Sequence, residues 1–171
     1  MSSMTISQAL RQVKKIKGEL SENVERAKNS ITFKEGEDPA FEFQRCMEKI
    51  TALRTSLVAL QSHIAETNAI TLIQFNGASL SLAYAVLRLK EYKGEIAFLS
   101  ELKGLARNKD VSSQMEVSFD FETDKRVNKT VVHYCKLPEA KRAELAEKVQ
   151  ASFDALNDTV ETANHRTVLK E

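Results

Sequence analysis

Two short segments of this chain place hydrogen-bonding side chains at the same point of an otherwise apolar stripe. Asn68 and Thr71 stand in Thr67-Asn68-Ala69-Ile70-Thr71. Asn164, Arg166 and Thr167 stand in Ala163-Asn164-His165-Arg166-Thr167, a shift of 96 residues (164 − 68 = 96). Each Asn follows an aliphatic seam residue, Ile64 or Val160, by four positions, so it continues the apolar face instead of facing water. A buried carboxamide needs partners for its donors and its acceptor, or it costs about 1–3 kcal/mol. Two solutions are open. Each Asn closes its own helix C-terminus with Thr71 or Thr167, or fixes register between helices. Alternatively Asn68, Thr71, Asn164, Arg166 and Thr167 converge on a small ligand, anionic or nucleotide-like.

The remaining reactive side chains form no catalytic pattern. His63 and Glu66 share a helical face, as do Glu161 and His165. Carboxylate-bridged metal sites place Glu three residues before His on two helices and add two further Glu. Here one pair has the reverse order and the other a four-residue step, so solvated surface pairs are expected, with no metal and no other cofactor. No nucleophile motif, Gly-rich phosphate loop or Cys/His cluster occurs, and the reading is non-enzymatic. Cys46 and Cys135 lie in no metal spacing and read as reduced thiols of a cytoplasmic protein. With 25 basic residues against 24 acidic ones the chain lacks the basic footprint of a nucleic-acid partner. Met1 to Leu20 has no apolar core of a secretory signal.

The elements that must position these residues are long helices. The 171 residues are 29% charged and include only 5 Gly and 2 Pro, a composition that favours one helical domain over residues 1–171. Thr5-Ile6-Ser7-Gln8 is a capping box, and Ile6, Leu10, Val13, Ile16, Leu20, Val24, Ala27 and Ile31 form a coiled-coil-like seam behind it. Asp38-Pro39 predicts the start of a second helix, in which Phe43, Met47, Ile50, Leu53, Leu57, Leu60 and Ile64 lead to Asn68. The 96-residue shift carries Ile50, Leu53, Leu57 and Leu60 onto Ala146, Val149, Phe153 and Leu156, so helix two recurs as the last helix. Asn76-Gly77 marks a turn, with Ser79 as the cap of a third helix bearing Leu82, Val86, Leu89, Ile96 and Leu99. Leu80, Leu87, Phe98, Leu102 and Leu105 widen that face. Met115, Val117, Phe119 and Phe121 alternate with polar residues as a half-buried strand does, and Thr130 to Cys135 is its partner across a Thr123–Asn128 loop. Pro138 opens helix four. The window from Thr67 to Leu87 carries no charge, and its length approaches the ~20 residues of a membrane span. Gln74, Asn76 and Gly77 interrupt it, so a buried corner between helices is expected, with membrane insertion as the alternative.

Several of these segments carry a resemblance. The first helix leading into Phe33-Lys34-Glu35-Gly36-Glu37-Asp38-Pro39, the helix ending in Thr67-Asn68, the Asn76-Gly77 turn and the closing Ala163-Asn164-His165-Arg166-Thr167 resemble the bacterial septicolysin-like family. The likeness covers nearly the whole chain and implies a helical, cytolysin-like protein. The chain departs from that pattern by an insert around Lys109 to Lys129 and by His165-Arg166 in place of an aromatic residue.

The expected fold is therefore mainly α, an antiparallel four-helix bundle with a β-hairpin inserted between helices three and four, at about 114–135. The expected function is self-association or partner binding, most simply as a homo-oligomer. Leu87, Phe98, Met115, Val117, Phe119 and Phe121 form the contact surface, because helix three is apolar beyond the roughly 100° that one core contact needs. A ligand-binding protein using the Asn-x-x-Thr ends and a membrane-active protein using the uncharged window are the alternatives.

Overall fold

A computed structural model of the chain describes residues 4–38, 41–102 and 111–170. The element order is α1 (Ile6–Asn29), α2 (Phe43–Ile70), β1 (Leu72–Phe75), β2 (Ala78–Ser81), α3 (Leu82–Glu101), β3 (Val111–Asp120), β4 (Lys125–Tyr134) and α4 (Glu139–Arg166). The chain is thus mainly helical, with two small antiparallel sheets, β1–β2 and β3–β4. Among the described residues no helix is long and apolar enough to cross a membrane. The expected Pro39 helix start and the Leu105 contribution to helix three lie outside the described residues. The chain forms two compact units, Met1–Leu87 with Leu156–Glu171, and Arg88–Ala155.

In the first unit α1 opens on the capping box. Thr5 Oγ1 accepts from the Gln8 amide at 3.3 Å, and Gln8 Oε1 accepts from the Thr5 amide at 2.9 Å. The two reciprocal bonds satisfy donors that a helix start otherwise leaves free. Its apolar stripe packs on α2 in two clusters. Ala9 and Val13 meet Ile64 near the start of α1, and Ala27 meets Cys46 and Ile50 near its end. The helices are therefore antiparallel. The stripe is narrower than expected: Leu10 and Ile31 are exposed, and α1 ends at Asn29, with Ser30 as C-cap. The expected Asp38 cap is also corrected. α2 starts at Phe43 behind Glu42, whose side chain makes no capping bond.

The charge-free window contains a hairpin that the helix periodicity did not suggest. Asn76 and Gly77 have φ of 49° and 77°, the two positive values of a type I′ turn, whose twist matches the strands it joins. Ser79 and Leu80 consequently lie in β2, and the cap of α3 is Ser81, whose Oγ accepts from the Tyr84 amide at 3.2 Å. The window is divided into a helix end, two short strands and a helix start.

In the second unit α3 buries Leu89 and Leu99. Arg142, in the first turn of α4, donates from Nη1 to the Leu99 and Ser100 carbonyls at 3.0 and 3.3 Å. That satisfies acceptors the last turn of α3 leaves open. The β3–β4 hairpin runs in continuous register from Val111↔Tyr134 to Asp120↔Lys125. Its connection is Phe121–Asp124, shorter than the expected Thr123–Asn128 loop, so Phe121 lies in the turn and β4 begins at Lys125. Pro138 immediately precedes α4, and its carbonyl accepts from the Arg142 amide at 3.0 Å.

Candidate functional site

The 96-residue shift seen in the sequence holds for whole elements. Helix α2 covers 43–70 and α4 covers 139–166 (139 − 43 and 166 − 70 are both 96), and each has 28 residues. Both helix ends lie in the first unit, and both are closed in the same way. The Thr71 amide donates to the Thr67 carbonyl at 3.0 Å, and the Thr167 amide donates to the Ala163 carbonyl at 2.8 Å. Each of these threonines then accepts, through its own carbonyl, the first amide of another helix. Leu82 of α3 donates to Thr71 at 2.8 Å, and Ile6 of α1 donates to Thr167 at 3.0 Å.

The correspondence extends to the strands. Leu72 pairs with Ser81 in β1–β2, and Val168 forms an antiparallel bridge with Thr5. Thr5 and Ser81 are the respective side-chain caps, and Ile6, Ala9, Leu82 and Ala85, one and four residues on, are all fully buried. The junction is thus built twice from one pattern: helix end, extended segment, capping hydroxyl and buried helix start.

The Asn residues of that pattern do not behave alike. Asn68 is half-buried, and its Oδ1 is buried without a hydrogen-bond partner. The cap at this end is Thr71, whose Oγ1 donates to the Thr67 carbonyl at 2.7 Å, so Asn68 is not the cap. Thr67, only 2% exposed, does the joining: its Oγ1 donates to the His63 carbonyl at 2.7 Å and accepts the Lys170 amide at 3.0 Å. Position 163, its counterpart, is alanine, so this tether exists once. Sequence periodicity marked Thr67 only as Asn68's neighbour, and the signal that could have found it is its hydroxyl on a seam otherwise filled by aliphatic side chains.

Asn164 lines a pocket of about 460 Å³ against the first turns of α1, together with His165, Glu161, Arg11 and Lys14. Asn68, Thr71, Arg166 and Thr167 do not line it. The five residues expected at one ligand are therefore divided between the two copies of the junction, Asn68 and Thr71 at one and Asn164, Arg166 and Thr167 at the other, and do not share one cavity. In each His/carboxylate pair the carboxylate accepts from a neighbour on its own helix. Glu66 accepts from Ser62 at 3.0 Å, and Glu161 accepts from Asn157 at 3.0 Å. Among the described residues no group of His, Cys, Asp or Glu could hold a metal ion.

The expected contact residues are all exposed: Leu87 65%, Phe98 59%, Met115 76%, Val117 66%, Phe119 46% and Phe121 90%. Phe119 and Phe121 meet edge to face at 5.3 Å between centroids. On the opposite face of the hairpin Glu116 is in register with Lys129 and Asp120 with Lys125, a stabilising cross-strand charge pattern that suits water.

No protein-family model and no curated protein matches this chain. Its fold is similar to a crystal structure described as a functionally unknown conserved protein from Corynebacterium diphtheriae, at a TM-score of 0.77 and 17% identity over 99% of this chain and 100% of the other. At that identity the likeness concerns the fold.

Proposed function

We propose that this chain is a non-enzymatic, cytoplasmic self-association module, most simply a homodimer, whose contact surface is the apolar face of β3 in the β3–β4 hairpin. One observation carries the reading: Met115, Val117 and Phe119 alternate along one face of β3, Phe121 packs on Phe119, and all four are exposed. A two-stranded hairpin is marginal in water without cover on one face, and contiguous exposed apolar surface marks interfaces. A second copy supplies a self-complementary cover, since a two-fold contact joins a patch to itself. The charged face, with Glu116–Lys129 and Asp120–Lys125 in register, then stays in solvent. Leu87 and Phe98 on α3 are further apolar positions available to a partner. Free thiols at Cys46 and Cys135 suit a reducing compartment.

The same proposal takes the four helices as one antiparallel bundle with the hairpin inserted between the third and fourth. Supporting it is the junction in which α1 and α3 begin where α4 and α2 end. Membership of a septicolysin-like family also belongs to the proposal, on the motifs quoted above. A second reading, binding of a small anion, draws on the pocket where Arg11 and Lys14 stand beside Asn164 and His165.

Cysteine cross-linking tests the contact. In a Cys135→Ser background, Val117→Cys is expected to give covalent dimers with a short bismaleimide, whereas Glu116→Cys on the other face is not. Equal cross-linking at both positions, or none at Val117→Cys, contradicts the proposal.

A further inference from the structure

A cavity of about 360 Å³ lies between the last turns of α1 and the first turns of α2, and no junction residue lines it. Its size falls near the lower end of small-molecule pockets. Three cations line it, Arg26 from α1 and Arg45 and Lys49 from α2, against one carboxylate, Glu42. Arg26 is held in place: it pairs with Glu22, and its guanidinium stands 5.3 Å from the centre of the Phe41 ring. Arg45 and Lys49 are four residues apart on one helical face and have no ion-pair partner among the described residues. Like charges at that spacing destabilise a helix, and a bound anion offsets their repulsion by attracting both.

Two further features suit an anion carrying a larger group. Asn23 lines the same cavity although it is only 8% exposed. Its Nδ2 donates to the Glu19 carbonyl at 2.7 Å, which fixes the carboxamide at the cavity wall. The N-terminal turn of α2 has no side-chain cap, so the positive end of its dipole adds to the field. We propose that this cavity binds a phosphate-bearing small molecule, with Arg45 and Lys49 on the phosphate oxygens. Two adjacent cations match a dianion, and guanidinium offers paired donors to two phosphate oxygens.

Both cations are exposed, so replacing them leaves the core intact. The test is calorimetric titration of the full chain with inorganic pyrophosphate and with ADP. Wild type and Arg54→Gln, a basic position on α2 outside this cavity, are expected to bind saturably with one site. Arg45→Gln/Lys49→Gln is expected to bind at least ten-fold more weakly. Tighter binding of ADP, lost in Phe41→Ala, assigns an organic phosphate; equal affinities assign an inorganic one. Absence of binding to wild type, equal affinity in the double variant, or an equal loss in Arg54→Gln overturns the proposal.

Discussion

At the residue scale the molecule separates a polar group that works from one that does not. Thr67 uses its hydroxyl twice, toward His63 and Lys170, while the neighbouring Asn68 buries an unpaired oxygen. Thr67→Val keeps the shape and strands the Lys170 amide, so it should lower stability by about 1–3 kcal/mol. Asn68→Ala removes an unsatisfied acceptor and should be neutral or stabilising. Denaturant unfolding of the two variants checks the contrast, and a large loss at Asn68 would contradict it. The burial of Asn68 was legible from its four-residue distance to Ile64. Its lack of a partner was not, and neither was the Thr67 tether, because that contact joins residues 103 apart in sequence.

A second residue-scale prediction concerns the hairpin turn. Asp120 accepts from Thr123 Oγ1 at 2.8 Å and from the Glu122 amide at 3.0 Å. The Thr123 hydroxyl first, then the Glu122 amide, hold this carboxyl below its ordinary value of 3.8. A folded value below the unfolded one gives stability that is complete above the ordinary range and lost as pH falls through the lower value. The Glu122 amide resonance should therefore shift with a midpoint below pH 3.8, and Asp120→Asn should abolish the shift. A midpoint at or above 3.8 would show that the carboxylate makes no favourable contact.

At the element scale, local chemistry explains what the sequence revealed. The Thr5 capping box and the period-two run from Met115 to Phe119 are short-range patterns, and both elements are present. The β1–β2 hairpin was hidden because each strand has only 4 residues, too few to compete with the helical periodicity on either side. Its Asn-Gly turn was the available signal. Glycine position decides the next prediction. Gly77 has φ of 77°, which a side chain rarely adopts, whereas Gly18 lies inside α1, where an added methyl would meet only open space. Gly77→Ala should cost about 1–2 kcal/mol, and Gly18→Ala should add roughly 0.5–1 kcal/mol. Thermal unfolding of both variants reads the opposite signs directly.

At the scale of the whole molecule the duplicated junction is the organising fact. The Met4–Ile6 segment meets the Thr167–Leu169 segment as β2 meets β1, and the Leu169 amide donates to the Met4 carbonyl at 2.8 Å. The 96-residue repeat in the sequence foretold the matched helices, while the mutual capping of α1 on Thr167 and α3 on Thr71 required coordinates. If the two junctions are equivalent, a permutant opened between Asn76 and Gly77 and closed from Lys170 to Met4 by a short Asn-Gly loop should fold with unchanged far-ultraviolet circular dichroism. Loss of helix in that permutant would show that the intact β1–β2 turn is indispensable.

The hairpin is the proposed self-association surface. Light scattering of the eluting protein at micromolar concentration measures this directly, with Val117→Lys/Phe119→Lys alongside. The prediction is a multiple of the chain mass, most simply two, for the wild type, and the mass of one chain with retained helix content for the variant. A wild-type protein that elutes with the mass of a single chain, the same as the variant, would contradict it.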